Sequence, residues 1–397
     1  VTAPRDPDPP VQRETRLVHV ARDPLRDAGA VNPPVYRAST VVYPSLREFA
    51  ARAERRYTTY SYGLQGTPTT MALAEAVAEL SGGSRSVIVS SGLAAVTHAL
   101  TAFLRAGDHV LLADTVYGPA RLFAASILSR FGVDVEFYDP LIGAGIARLL
   151  RSRTRIVYTE SPGTATFEVQ DVPAVAAAAH AAGALVVLDN TWATPLNFRA
   201  FDHGVDVEVQ AGTKYFAGHS DLLVGSITVR TDAHFRAVRD DVIAFGDCVS
   251  PDVSYETLRG LRTLAVRMRQ FEASALTVAR WLAERPEVSR VLHPALPGHP
   301  GHEIWKRDFL GASSLFGVLL RTDSMDAVSR MVDGLRLFKI GASFGGYESL
   351  VTLPAPERTV RPWTEPGTLL RLHVGLEAVD DLIADLRDGL SRLEDHA

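Results

Sequence analysis

The chain reads as an α/β protein: a large domain built on a mostly parallel sheet, followed by a smaller α+β C-terminal domain. Three observations lead there. Short continuous apolar runs, each closed by small or polar residues, alternate with helical patterns through the first 250 positions, as buried parallel strands and their crossover helices do. Two consecutive runs end in an acid and a lysine, Asp189 and Lys214, where ligands bind in such sheets. After about Ser250 the texture changes to a longer helical pattern and a second strand–helix set. The expected division is an N-terminal tail and arm over 1–60, a large domain over 61–255 and a C-terminal domain over 256–397.

With 397 residues there is enough chain for two cores, and 46% hydrophobic with 22% charged residues is ordinary for a globular protein. A formal charge of −5 gives no electrostatic footprint for nucleic acid or an acidic membrane. No apolar run reaches membrane-spanning length and no signal-peptide pattern opens the chain, so the expectation is a cytoplasmic enzyme with no nucleic-acid or membrane partner. Cys248 is the single cysteine, which excludes an intrachain disulfide.

Taken in order, Val1 to about Arg13 is rich in Pro, Asp and Arg and reads as a tail. From Thr15 to Thr59 the prolines of Asn32-Pro33-Pro34-Val35 favour extended chain, and Arg52, Arg55 and Arg56 read as a solvated helix face. Tyr60 to Thr69 is a turn-rich link into a helix over 70–80. Ser86–Val89 is a strand, and Ser90-Ser91-Gly92-Leu93 then opens a helix whose first amides are free to hold an anion. Strands follow at His109–Ala113, before Tyr117, and at Ile156–Thr159, before Glu160-Ser161-Pro162-Gly163-Thr164. Gly143-Ala144-Gly145 follows Asp139-Pro140 instead of a strand and does not complete a dinucleotide fingerprint.

Ala184–Leu188 runs directly into Asp189, and a second short strand, Val205–Gln210, leads through Ala211-Gly212-Thr213 to Lys214. Such a pair suits pyridoxal 5'-phosphate: the lysine amine condenses with the cofactor aldehyde, and the carboxylate keeps the pyridine nitrogen protonated. An aspartate at a strand end also serves as a helix cap, and most lysines are solvated, so spacing alone leaves both readings open. A long helix is expected from Tyr255 toward Leu282. His293, His299 and His302 fall in a Pro/Gly-rich stretch that reads as a loop, since no cysteine or carboxylate completes a metal set. Leu370–Glu377 is a late strand in which Arg371 has apolar neighbours, and a fork of donors suits a carboxylate.

The segments Asp189-Asn190-Thr191-Trp192-Ala193-Thr194-Pro195 and Thr213-Lys214-Tyr215-Phe216-Ala217-Gly218-His219-Ser220-Asp221 closely resemble signatures of the Cys/Met-metabolism family of pyridoxal-phosphate enzymes, with the wording nearest to its bacterial cystathionine β-lyases. The resemblance runs from about Thr15 to the C-terminus. It implies the aspartate-aminotransferase-like fold (type I) and a homotetramer, a dimer of dimers, embraced by the N-terminal arm. It implies Lys214 as the catalytic lysine, Asp189 at the ring nitrogen, Gly92, Leu93 and Thr213 at the phosphate, and Tyr117 stacked on the ring. Tyr62 is implied to serve the neighbour's site and, with Tyr117, to act catalytically by tuning proton transfer to the amine or leaving group, and Arg371, Ser343 and Phe344 to meet the substrate.

The sequence departs from the family pattern in three places. Leu64 stands where an arginine often pairs with the phosphate, Ala211 where a serine is common, and Phe344 where cystathionine β-lyases usually carry tryptophan. Trp192, Thr164 and Ser343-Phe344-Gly345-Gly346 lean toward Cβ–S cleavage of cystathionine or a related sulfur amino acid, giving pyruvate, ammonia and a thiol. The alternatives are γ-replacement or γ-elimination on the same scaffold, in a methionine pathway or a specialised one, and a cofactor-binding regulatory protein.

Overall fold

The computed structural model describes residues 11–393; the first ten residues of the expected tail lie outside it. Seven strands form the larger sheet: β1 (Arg85–Val89), β2 (His109–Ala113), β3 (Asp134–Tyr138), β4 (Thr154–Glu160), β5 (Leu185–Asp189), β6 (Val207–Gln210) and β7 (Gly225–Val229), in the order β1-β7-β6-β5-β4-β2-β3. Neighbours from β6 through β5, β4 and β2 to β3 run parallel, while β7 is antiparallel to both β1 and β6. All five residues of β2 are buried, as expected of a strand covered by helices on both faces.

Five further strands make the second sheet: β8 (Val288–Leu292), β9 (Leu315–Leu320), β10 (Lys339–Ile340), β11 (Leu350–Thr352) and β12 (Leu369–His373), ordered β10-β11-β12-β9-β8. It is antiparallel except for the β10–β11 pair. Its own core gathers Phe316, Val318, Leu370 and Leu372 with helix residues such as Val278, Met331 and Leu386.

Several local expectations change. Arg13 is not part of a tail: it begins a helix, Arg13–His19, and its guanidinium donates to the Pro195 carbonyl at 2.9 Å. The single helix expected from Tyr255 is two, Pro251–Leu261 and Leu264–Ala283. The break is held by arginines whose donors seek carbonyls elsewhere. Arg262 donates to Leu17 and Val20, and buried Arg267 donates to Tyr215 (2.7 Å) and Gly260 (2.8 Å). His302 starts a helix, His302–Asp308, whereas His293 and His299 each accept a loop amide, from Ala295 and Gly301. No helix among the described residues is long and apolar enough to cross a membrane.

Candidate active site

The C-terminal ends of β4, β5 and β6 open into a cavity of about 380 Å³, walled on its far side by the 342–344 loop and by Arg371 of β12. Lys214 and Asp189 both line it, with Gly92, Leu93, Tyr117, Thr164, Trp192, Ala211, Thr213, Ser343 and Phe344. The strands place their last residues in register, Glu160 opposite Asp189 and Asp189 opposite Val209, which sets the two acids side by side.

Asp189 is 9% exposed. One carboxylate oxygen accepts the Thr191 N–H at 3.0 Å. Burial raises its pKa, against the Thr191 hydroxyl and amide and the nearby Lys214. Such a carboxylate is short of donors, and a protonated ring nitrogen would supply one. Thr191 is itself fixed, because its hydroxyl accepts the Ala211 N–H at 2.8 Å.

Lys214 Nζ donates to Ser343 Oγ at 2.6 Å and lies 5.1 Å from the Phe344 ring centroid. Burial first, and then the Arg371 charge, lower its pKa to about 8. Ser343 has φ +128°, a backbone state that L residues rarely adopt, and Gly345 follows at φ +84°. A Cβ on Gly345 would come within 2.8 Å of the Tyr215 amide nitrogen. This loop therefore needs a glycine to lie directly on the lysine's backbone. Trp192 ties the other wall, its indole N–H donating to the Leu315 carbonyl of β9 at 2.8 Å.

The anion-holding features are distinct from this charged pair. Gly92 and Leu93 are the first two residues of the Gly92–Thr101 helix, capped by the Ser91 hydroxyl, which accepts the Ala94 N–H at 3.0 Å. Their own N–H groups have no intrahelical acceptor, and both residues line the cavity, where such amides can take an anion. A Cβ on Gly92 would lie 2.5 Å from that of Ala211, so the close approach leaves room for glycine alone. The Thr213 hydroxyl is engaged in both directions, accepting from Val224 N at 3.0 Å and donating to Val224 O at 3.1 Å. It reaches an anion only by giving up that carbonyl. Arg371 lines the cavity with no hydrogen-bond partner among the described residues, and burial lowers its pKa. A buried guanidinium left in this state is a receptor for a carboxylate.

Two expected residues stand apart. Tyr62 is 52% exposed and outside this cavity, as is Leu64. One residue was missed: Glu160, at the end of β4, lines the cavity and is 8% exposed. An acid closing a strand reads from sequence as a turn former; only the register with Asp189 reveals it.

The donor set fits pyridoxal phosphate: a lysine of lowered pKa, an under-donated buried carboxylate and a helix N-terminus that can take a phosphate. These features define an α/β enzyme of the pyridoxal-phosphate-dependent class. Residues 14–391 match the family described as Cys/Met metabolism PLP-dependent enzyme, and the chain belongs to that family. It is 47% identical over 382 residues to a putative cystathionine beta-lyase of Rhizobium johnstonii, covering 95% of each chain. It is 45% identical to the cystathionine beta-lyase of Escherichia coli, over 96% of this chain and 98% of that one. Among solved structures, cystathionine gamma synthase of Xanthomonas oryzae pv. oryzae, in complex with aminoacrylate and cysteine, superposes with a TM-score of 0.90 at 31% identity, covering 98% of this chain and 100% of that one.

Proposed function

We propose that the protein cleaves the Cβ–S bond of cystathionine, or a related cysteine S-conjugate, to pyruvate, ammonia and a thiol. The observation that carries this reading is the unpartnered Arg371 across the cavity from Lys214 and Asp189, together with identities of 47% and 45% to relatives named for that reaction. Bound pyridoxal phosphate supplies the electron sink that makes a proton on the substrate Cα removable. The protein's own residues do the rest. Arg371 takes the substrate carboxylate in a two-pronged grip and so fixes which Cα bond faces Lys214. Lys214, the residue that would hold the cofactor aldehyde, carries the Cα proton once its amine is free; a pKa near 8 suits an amine that must take and give protons. Asp189 would keep its charge opposite the ring nitrogen, the amides of Gly92 and Leu93 would hold the phosphate, and Tyr117 would cover the ring.

The reading includes a cytoplasmic homotetramer, in which the exposed Tyr62 serves a neighbouring site. Exposed apolar residues on the same N-terminal segment, Val42 at 89% and Leu46 at 85%, support an arm that packs on another copy. The γ-chemistry alternative is favoured by the likeness to a cystathionine gamma synthase. Incubating the holoenzyme with L-cystathionine separates the two. Pyruvate with homocysteine is the expected product pair; 2-oxobutyrate with cysteine would replace the β reading with γ-elimination.

A further inference from the structure

Glu160 poses a problem that the reaction as outlined does not solve. Its carboxyl sits beside Asp189, at the end of the adjacent strand and inside the same cavity. A second acid so close to the one that must stay charged is costly unless its oxygens are used. They are. Oε2 accepts the main-chain N–H of Tyr117 at 2.7 Å, and the Thr164 side chain lies near enough to favour the charged carboxyl. The two segments it joins are already packed together: Thr164 N–H donates to Thr115 O at 3.1 Å, and a Cβ on Gly163 would lie 2.6 Å from that of Thr115.

The phenol of Tyr117 makes no hydrogen bond among the described residues, and the residue is 42% exposed. Tyr117 also begins a short helix, Gly118–Phe123, without a side-chain cap bond. The hydrogen bond from its main-chain N–H to Glu160 is therefore the polar tether that sets where the ring stands.

We propose that Glu160 is a positioning residue, whose carboxyl anchors the Tyr117 main-chain N–H and so holds the tyrosine ring where it would cover the cofactor. This rests on the assignment of Tyr117 as the ring's cover. Burial and the neighbouring Asp189 drive the Glu160 carboxyl well above the ordinary range, against the Tyr117 amide, the Thr164 hydroxyl and the Arg371 charge. Even as the neutral acid it keeps a carbonyl oxygen for the amide. What the site uses is thus an acceptor, and glutamine supplies one of the same reach.

The test compares Glu160→Ala with Glu160→Gln, each checked for folding by far-UV circular dichroism. Glu160→Ala is expected to weaken pyridoxal phosphate binding to the apoprotein about tenfold and to lower kcat about thirtyfold, the loss of an acceptor from a buried donor. KM should change little, because Arg371 still holds the substrate. Glu160→Gln should recover all but a few-fold of both losses. The proposal is overturned if Glu160→Ala binds cofactor as the parent does, or if the glutamine variant is as impaired as the alanine one, which would make charge the requirement. Should Glu160→Ala fail to fold, the glutamine variant still decides: no cofactor binding in folded Glu160→Gln refutes the tether. Cofactor affinity is read without substrate, so failure of the parent enzyme on cystathionine would sink the reaction assigned and leave this result standing.

Discussion

Lys214 shows how much of the chemistry is set by one side chain's surroundings. Burial and Arg371 bring its pKa to about 8, from the 10.5 of a free lysine. Only the neutral amine attacks an aldehyde, so the apoprotein should capture pyridoxal phosphate at a rate that rises with pH and levels off above about 8. Stopped-flow absorbance reads this directly; a rate still climbing steeply at pH 10 would mean that the lysine is not desolvated as the geometry requires. Ala211 makes the complementary case. Its Cβ faces Gly92 at the anion-holding turn, where a hydroxyl would add one donor. Ala211→Ser is therefore expected to tighten cofactor binding by about 1 kcal/mol, roughly fivefold, the net worth of one added hydrogen bond. Unchanged affinity would show that the phosphate sits too far from position 211.

At the scale of elements, the turn that begins the Gly92–Thr101 helix is braced from behind. Asp247 accepts the Ser90 N–H at 3.2 Å, and His98 lies between Asp247 (3.3 Å) and Asp241 (2.8 Å), with the Thr101 hydroxyl also on Asp241. Although burial opposes it, bonding to the two aspartates raises the His98 pKa to about 9. A folded value above the unfolded one means that the brace stabilises fully below about pH 6.5 and is lost as pH rises through about 9. Discounted for partial solvation, the contribution is about 2 kcal/mol. Denaturant midpoints at pH 6 and pH 10 should therefore converge in His98→Gln relative to the parent; an equal pH dependence in both would remove His98 as its source.

The same scale shows what could be read from the chain. Continuous apolar runs announced β2, β4 and β5 and an alternating one β6, and an acid closing β5 with a lysine just past β6 marked the site, because ligands meet such sheets at their strand ends. The break at Arg262–Thr263 could not be read. Neither residue disfavours a helix; Arg262 and Arg267 bend the path by bonding carbonyls from distant segments. Glu160 was hidden for a related reason, since its partner strand is decided by sheet order. The commitment of the Thr213 hydroxyl to Val224 likewise depends on a segment eleven residues on.

At the scale of the whole molecule, the site is assembled from two sheets and, on the reading proposed, from two chains. Within one chain the join is explicit: Ser343 and Gly345 lie against Lys214 and Tyr215, and Trp192 donates into β9. Tyr62 has no such join. It forms one bridge with Thr40 and otherwise faces outward. If it completes a neighbour's site, Lys214→Ala and Tyr62→Phe damage different halves of that site. Each variant alone should then be nearly inactive. A mixed dimer holds one site with both residues intact, taking Lys214 from the tyrosine variant and Tyr62 from the lysine variant. Random reassociation at equal ratio makes half the dimers mixed, and each has one good site of two. Activity should therefore return to roughly a quarter of the parent's, as two-fold symmetry requires when a site is shared. Mixing folded variants under exchange conditions and following pyruvate release measures this. Activity that stays at the level of the separate variants, with exchange shown by native mass spectrometry, would place Tyr62 outside the neighbour's chemistry.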